Sequence, residues 1–412
     1  MNAVGIDVSK GKSMVAVLQP LGVVVAKPFE VIQTATGLGK LANFLKNLDG
    51  ETKVIMEYTG RYYEPVAQMI HKSGVFVSVV NPLLIHEYGG NSLRRVKTDK
   101  ADSNKIARYG LDNWAELREH TPVDMIRYEL KTLHRQFHLA SKNRTACSNN
   151  LVALLDQSLP GANDWFNSPV RKDGSQKWVD FVIAFWHVDC IRSSSLAAFS
   201  QRYCKWCKRN NYYFNAAKAE QIHSEAREMI ALVPRSITAK LLVQETASQL
   251  LSVSRTVEAL RAEMNRLAAQ LPEYPVVMSM YGVGESLGPQ LMAEIGDIRR
   301  FESKRSLAAF AGVDPMPNQS GAKDVRSNKI SKRGSPYLRK TLFVLMSMLL
   351  KLAPSDEPVY HFLDRKRSEG KPFYVYMTAG ANKFLRIYYG KVRDHLAMLN
   401  LDSHDLTSAN PQ

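Results

Sequence analysis

The first 120 residues alternate between two periodicities, and the order in which they do so constrains the fold more than any other feature. Ala3–Asp7, Ser13–Leu18 and Val23–Val31 read as three successive strands, separated by Lys10-Gly11-Lys12 and Pro20-Leu21-Gly22, residue types that supply tight turns. A helical stretch follows, with Leu38, Leu41, Phe44 and Leu45 on one face. Then come a strand over Lys53–Glu57, a helix from about Tyr62 to Lys72 and a strand over Val75–Val80.

The order βββαβαβ predicts a ribonuclease-H-like layered sheet at the N-terminus. The expected fold class is therefore α/β followed by α: a ribonuclease-H-like domain over 1–120, a helical middle over 121–271, and a mainly helical C-terminal domain over 272–412. In the middle, Leu130, Leu133, Phe137, Ala140, Arg144, Cys147, Leu151 and Leu154 recur at steps of 3 and 4. Val243, Thr246, Leu250, Val253, Val257, Leu260, Met264, Leu267 and Leu271 do the same. Both predict a coiled-coil seam, formed within one chain or with a second subunit. Two long helices in an ordinary bundle are the plainer alternative. Between them, about 160–235, lies an insert rich in aromatic residues (Trp165, Phe166, Trp178, Phe181, Phe185, Trp186).

Charge narrows the partner. Lys and Arg number 55 against 39 Asp and Glu, a formal net charge of +16, which points to nucleic acid or an acidic membrane surface. A membrane is not expected, since the most apolar stretch, Leu342 to Leu350, is far shorter than the roughly 20 residues of a spanning helix. The first residues lack the pattern of a secretory leader, and four cysteines in 412 residues do not make a disulfide framework, so a cytoplasmic, nucleoid-associated protein is expected.

Four acids stand out within that basic background. Asp7 ends the first strand and Glu57 the fourth, and these strands are neighbours in a ribonuclease-H-like sheet. Asp99 and Asp102, in Lys97-Thr98-Asp99-Lys100-Ala101-Asp102, share one helix face. Four carboxylates meeting at one edge would repel one another unless a cation held them. Mg2+ suits hard carboxylate oxygens, with Mn2+ able to substitute, and two such ions serve phosphoryl transfer. Taken singly, each Asp is more ordinarily a cap or turn residue; their convergence makes the case.

Further along, Tyr281-Gly282-Val283-Gly284 opens an amphipathic helix in the manner of helix-hairpin-helix DNA binders, or as a plain helix-start turn. Asn318-Gln319-Ser320-Gly321 leads into the densest basic stretch of the chain: Lys323, Arg326, Lys329, Lys332, Arg333, Arg339 and Lys340 against the single acid Asp324. Arg94, Arg95, Lys97, Lys100 and Lys105 surround the Asp99/Asp102 pair in the same way. Both sets read as phosphate-gripping surfaces.

Together these blocks resemble the DEDD-type insertion-sequence transposases, the bridge-RNA-guided serine recombinases of bacterial mobile elements. The resemblance rests on Gly5-Ile6-Asp7-Val8-Ser9-Lys10, Met56-Glu57-Tyr58-Thr59-Gly60, the segments 97–107 and 282–301, Gln319-Ser320-Gly321 and Ile330-Ser331-Lys332-Arg333-Gly334, in the family's order. It implies a RuvC-type domain whose Asp7, Glu57, Asp99 and Asp102 form a Mg2+-binding tetrad. It also implies a C-terminal transposase domain whose Ser320 attacks a DNA phosphodiester to form a phosphoserine linkage. The implied partners are donor and target DNA duplexes, a structured non-coding guide RNA, and further copies of the chain in a dimer or tetramer.

Other readings remain open on the residues alone: a RuvC-like structure-selective endonuclease using water, or a non-catalytic nucleic-acid-binding assembly protein. His187 with Cys190, Cys204 and Cys207 has the residue types of a zinc set, but the aromatic, helical context favours buried thiols, so zinc is not expected.

Overall fold

A computed structural model describes residues 1–58, 60, 62–88, 98–120, 124–314, 319–320, 323–324 and 330–408. The chain forms two compact units, Met1–Val123 and Asp124–Gln412.

The first unit contains strands β1 (Asn2–Val8), β2 (Lys12–Leu18), β3 (Val24–Ile32), β4 (Thr52–Glu57) and β5 (Phe76–Val80). Its helices are α1 (Ala35–Lys46), α2 (Tyr63–Lys72), α3 (Pro82–Tyr88) and α4 (Asp99–Asp112). The sheet order is β3-β2-β1-β4-β5. The first three strands form an antiparallel meander, and β4 and β5 add in parallel after helical crossovers. This is the layered sheet that the order of elements predicts.

Central strands β1 and β4 are apolar on both faces because helices cover both. Val4, Ile6, Val54 and Met56 pack with Leu38, Leu41, Val66 and Ile70 of α1 and α2. Ala3 and Ile55 pack on the other side with Ile85 of α3 and Ile106 of α4. Gly5 allows that second layer to close: a Cβ there would collide with the Ser103 carbonyl oxygen and the Ala107 nitrogen, so α4 lies backbone-to-backbone on β1. Thr98 caps α4 by accepting the Ala101 N–H at 3.2 Å.

The second unit is helical. Helix α5 (Met125–Ser158) is followed by α6 (Lys177–Ala184), α7 (Asp189–Arg192), α8 (Leu196–Arg209), α9 (Ala216–Glu228) and the long α10 (Ile237–Ala268). Then come α11 (Tyr274–Met278), α12 (Leu287–Ile295), α13 (Lys304–Ala311), paired strands β6 (Gln319–Ser320) and β7 (Lys323–Asp324), α14 (Pro336–Leu352), α15 (Pro358–Ser368) and α16 (Phe373–Ser408). Helices α5 and α10 pack on each other within the chain. On α5 the buried row is Arg127, Leu130, His134, Phe137, Ala140, Leu151, Leu155 and Ser158. His134 and Leu155 are thus buried more deeply than the expected Leu133 and Leu154, which stay partly buried against the same cores, because one end of α5 also meets α12 and the other meets the insert.

Two cores result. One joins Leu130 and Phe137 to Val257, Met264, Leu291, Leu342 and Phe384 of the later helices. The other is the insert itself, where Trp165, Trp178, Phe181, Phe185, Tyr203 and Trp206 pack with Leu151, Leu155 and Val243. Among the described residues, no helix is long and apolar enough to cross a membrane.

Candidate acidic site and C-terminal loop

Asp7 lies one step beyond the Ile6–Met56 pairing of β1 and β4, so Asp7 and Glu57 leave the same edge of the sheet on adjacent parallel strands. Helix α4 begins over that edge, with Asp99 and Asp102 in its first turn, where the helix dipole favours negative charge. Burial, then the charges of Asp102 and Asp99, push the Asp7 carboxyl up to about 6. Burial, then Asp7 and Asp102, raise Glu57, while Lys105 opposes the shift. Asp7 thus feels both acids of α4, and Glu57 feels Asp7 and Asp102.

The carboxylates supply hard oxygen donors of one sign, the donor chemistry Mg2+ takes. Among the described residues, no three His, Cys, Asp or Glu side chains are already close enough to enclose an ion. The edge fits a divalent cation by its charge and donor type, with side chains that would have to close on it.

Of the basic residues expected near these acids, Lys105 acts on Glu57 directly, and Lys100 is exposed beside Asp99. Arg94, Arg95 and Lys97 lie outside the described residues.

In the second unit, Ser320 pairs with Lys323 across the short β6–β7 ladder. Arg326 and Lys329 lie outside the described residues. The segments flanking this ladder are fastened to each other. The Ser331 hydroxyl donates to Asp314 Oδ1 at 2.8 Å, the Ser331 N–H to the Asp314 carbonyl at 3.1 Å, and the Lys332 N–H to the Gly312 carbonyl at 3.3 Å. Arg339 Nη1 donates to the carbonyls of Ala311 and Gly334 at 3.0 and 3.1 Å. Arg339 thus commits donors to the protein backbone, whereas Lys332 and Arg333 are exposed. The partnership of Asp314 and Ser331 escapes a sequence reading because the two are 17 residues apart.

Glu294 anchors the same neighbourhood from beneath. It accepts from the Ser335 hydroxyl at 2.7 Å and from Arg135 Nη2 at 3.1 Å, and His134 Nδ1 lies 2.9 Å away. Ser335 in turn caps α14 through the Leu338 N–H. The Gly282–Gly284 turn borders a largely apolar crevice with Tyr281, Met348 and Leu352, and Gly282 has φ of 76°. In the insert, both His187 nitrogens are engaged: Nε2 lies 3.0 Å from the Val233 carbonyl and Nδ1 accepts from the Asp189 N–H at 3.1 Å. Cys190 and Cys207 are buried in the aromatic core, and burial raises both thiols.

Two family models match the chain. One described as "Transposase", of the DEDD IS110 type, covers residues 4–160, and one described as "Transposase IS116/IS110/IS902 family" covers 274–361. The chain is 24% identical over 342 residues to the pilin gene-inverting protein of Moraxella bovis, covering 83% of this chain and 80% of that one. It is 27% identical over 175 residues to an uncharacterized protein of insertion element IS110 from Streptomyces coelicolor, 42% of either chain. RuvC of T. thermophilus, solved with a Holliday junction substrate, shares 14% identity over 29% of this chain at a TM-score of 0.23, too distant a likeness to argue from.

Proposed function

For this chain, which belongs to the IS116/IS110/IS902 family of transposases, we propose an enzyme that cleaves and rejoins DNA through a serine–phosphate intermediate to move an insertion sequence. The observation that carries the reading is the mutual electrostatic influence of Asp7, Glu57, Asp99 and Asp102 at one sheet edge. A fold gains nothing in stability from assembling like charges; a divalent cation at a scissile phosphate gives the assembly a purpose. The Moraxella relative, named for inverting a pilin gene, supports DNA rearrangement as the outcome.

In this reading Asp7, Glu57, Asp99 and Asp102 hold Mg2+, which when bound supplies positive charge to the scissile phosphate. Ser320 Oγ forms a bond to phosphorus as a deoxyribose oxygen leaves, and the proton lost by the serine is matched by the one that oxygen gains. The reverse step, with a different strand's hydroxyl, rejoins the DNA without an external energy source. Lys332 and Arg333 are exposed to offset phosphate charge, and Lys323 follows Ser320 across the ladder. Guidance by a structured non-coding RNA and assembly into a dimer or tetramer complete the proposal.

The test is denaturing electrophoresis of labelled DNA after reaction with the full chain and the RNA that co-purifies with it. A protein–DNA adduct is expected from the wild type and not from Ser320→Ala. An undiminished adduct from that variant overturns the serine assignment. Because the acids sit together in the first unit, hydrolysis by water is the second reading; free DNA ends produced equally by Ser320→Ala would establish it.

A further inference from the structure

One face of the sheet in the first unit carries a row of charged residues that continues past the four acids. Asp7 pairs with Met14 of β2, and Met14 pairs with Glu30 of β3, so all three side chains leave the same face. That face is the one α4 covers, because Gly5, two residues before Asp7, meets the α4 backbone at Ser103 and Ala107. Lys12, two residues before Met14, shares the face, and its Nζ donates to Glu30 Oε2 at 2.9 Å. We propose that Lys12 is a positioning residue for the acidic edge, a tethered counter-charge to Asp99 that Glu30 holds away from the place a divalent cation would take. The inference rests on the reading of Asp7, Glu57, Asp99 and Asp102 as a metal site.

The strand register puts Lys12 close to the acids. The Ser9 N–H donates to the Lys12 carbonyl at 3.0 Å, closing the turn by which the chain leaves β1 just past Asp7 and re-enters the sheet at Lys12. Strands about 4.8 Å apart, with alternate residues about 7 Å apart, set the Cα atoms of Lys12 and Asp7 about 8 Å from each other. Helix α4 lies against β1, β2 and β3, with Asp99 in its first turn. The two α4 acids divide the row: Asp102 acts on Asp7 and Glu57, and Asp99 acts on Asp7 and Lys12. Lys12 therefore stands at the Asp99 end of the row as Lys105 does at the Glu57 end.

The ammonium answers two carboxylates. The Glu30 hydrogen bond and charge raise it above the usual lysine range, burial opposes this, and Asp99 adds to it. An exposed ion pair of this kind adds little to stability, but it fixes where a charge stands. Without Glu30 the ammonium would be drawn onto Asp99, where it would compete with a dication for the same oxygens. With Glu30 in place it stays over β3, near enough to offset repulsion among the acids and too far to occupy their oxygens.

The experiment titrates the full-length chain with Mn2+ alone and follows the free ion by electron paramagnetic resonance, at low and at moderate ionic strength. A unit charge about 10 Å from a dication in water changes its affinity about four-fold, and about 0.1 M salt screens this to under about two-fold. Lys12→Met and Lys12→Gln are therefore expected to tighten Mn2+ binding about two- to four-fold at low salt, and Lys12→Arg to leave it unchanged. Glu30→Gln is expected to weaken binding, and to weaken it less when Lys12 is already Met, because no ammonium is then released. Lys12 and Glu30 are both about half exposed, so the variants should still melt cooperatively in EDTA. Wild-type protein that takes up no Mn2+ overturns the metal reading and this inference with it. Uptake that Lys12→Met leaves unchanged or weakens overturns this inference alone, and equal effects of Glu30→Gln in the two backgrounds overturn the tether.

Discussion

A Cβ on Gly5 would collide with the carbonyl oxygen of Ser103, so helix α4 reaches strand β1 only because residue 5 has no side chain. That contact brings Asp102, the residue before Ser103, to the sheet edge where Asp7 emerges two residues after Gly5. Packing and site geometry are here the same fact.

Gly5→Ala should therefore destabilise the chain by about 3 kcal/mol, at the upper end of overpacking costs, because backbone rather than a flexible side chain stands in the way. Urea unfolding of the full chain checks this. A variant as stable as the wild type would mean that α4 can shift outward freely.

Asp7 carries a pH signature. Its folded value, about 6, lies above the ordinary 3.8, so the folded state holds that proton more tightly than the unfolded state does. Its stabilising contribution is complete below pH 3.8 and is lost as pH rises through 6. In metal-free buffer, Asp7→Asn should raise the melting temperature at pH 7 by several degrees relative to wild type and make little difference at pH 4. Added Mg2+ should stabilise wild type at pH 7 and not the variant. A wild-type–variant difference that does not change with pH would refute the electrostatic account.

Glu294 is a buried acid with three partners. Burial works against its charge, but the hydrogen bond and charge of His134, then Ser335 and Arg135, hold it below the usual carboxylate range. The stability it contributes is present above the ordinary value of 4.5 and falls as pH drops. Glu294→Ala should cost about 3–5 kcal/mol, since it strands buried partners. Glu294→Gln should cost less by keeping an acceptor for Ser335. Equal losses in the two variants, measured by denaturant unfolding, would contradict this.

The clamp around the β6–β7 ladder predicts a partial defect. Ser331→Ala removes the 2.8 Å bond to Asp314 without touching Ser320. One hydrogen bond contributes about 0.5–1.5 kcal/mol, so covalent adduct formation should slow by roughly 2- to 10-fold rather than disappear. Asp314→Ala should match it, and the double variant should be no worse than either alone. Additive losses would show that the two residues act separately.

Much of this is legible in the chain. Strand–turn–strand patterning predicts the βββαβαβ succession that folds into the sheet β3-β2-β1-β4-β5, because alternation and turn residues are local properties. The same holds for Asp99 and Asp102 on one helix face, which their spacing gives; that they open α4 behind the Thr98 cap is added by the structure. The long helices α5 and α10 are visible in their spacing, but the buried register on α5 moves by one residue at His134 and Leu155. A heptad pattern fixes a face only until a third element claims part of it, as α12 does through Glu294 and the insert does through its aromatic core.

Arg339 marks the limit most clearly. In sequence it is one more cation in a basic run; in space its guanidinium holds the Ala311 and Gly334 carbonyls. The sequence by itself determined the sheet, the acids and the basic character of the chain, since each depends on residues near one another or on composition. Only the tertiary structure decided which cations are engaged by the protein, as Arg339 is, and which stay exposed, as Lys332 and Arg333 do. That choice depends on which carbonyls and carboxylates arrive from distant segments to meet them.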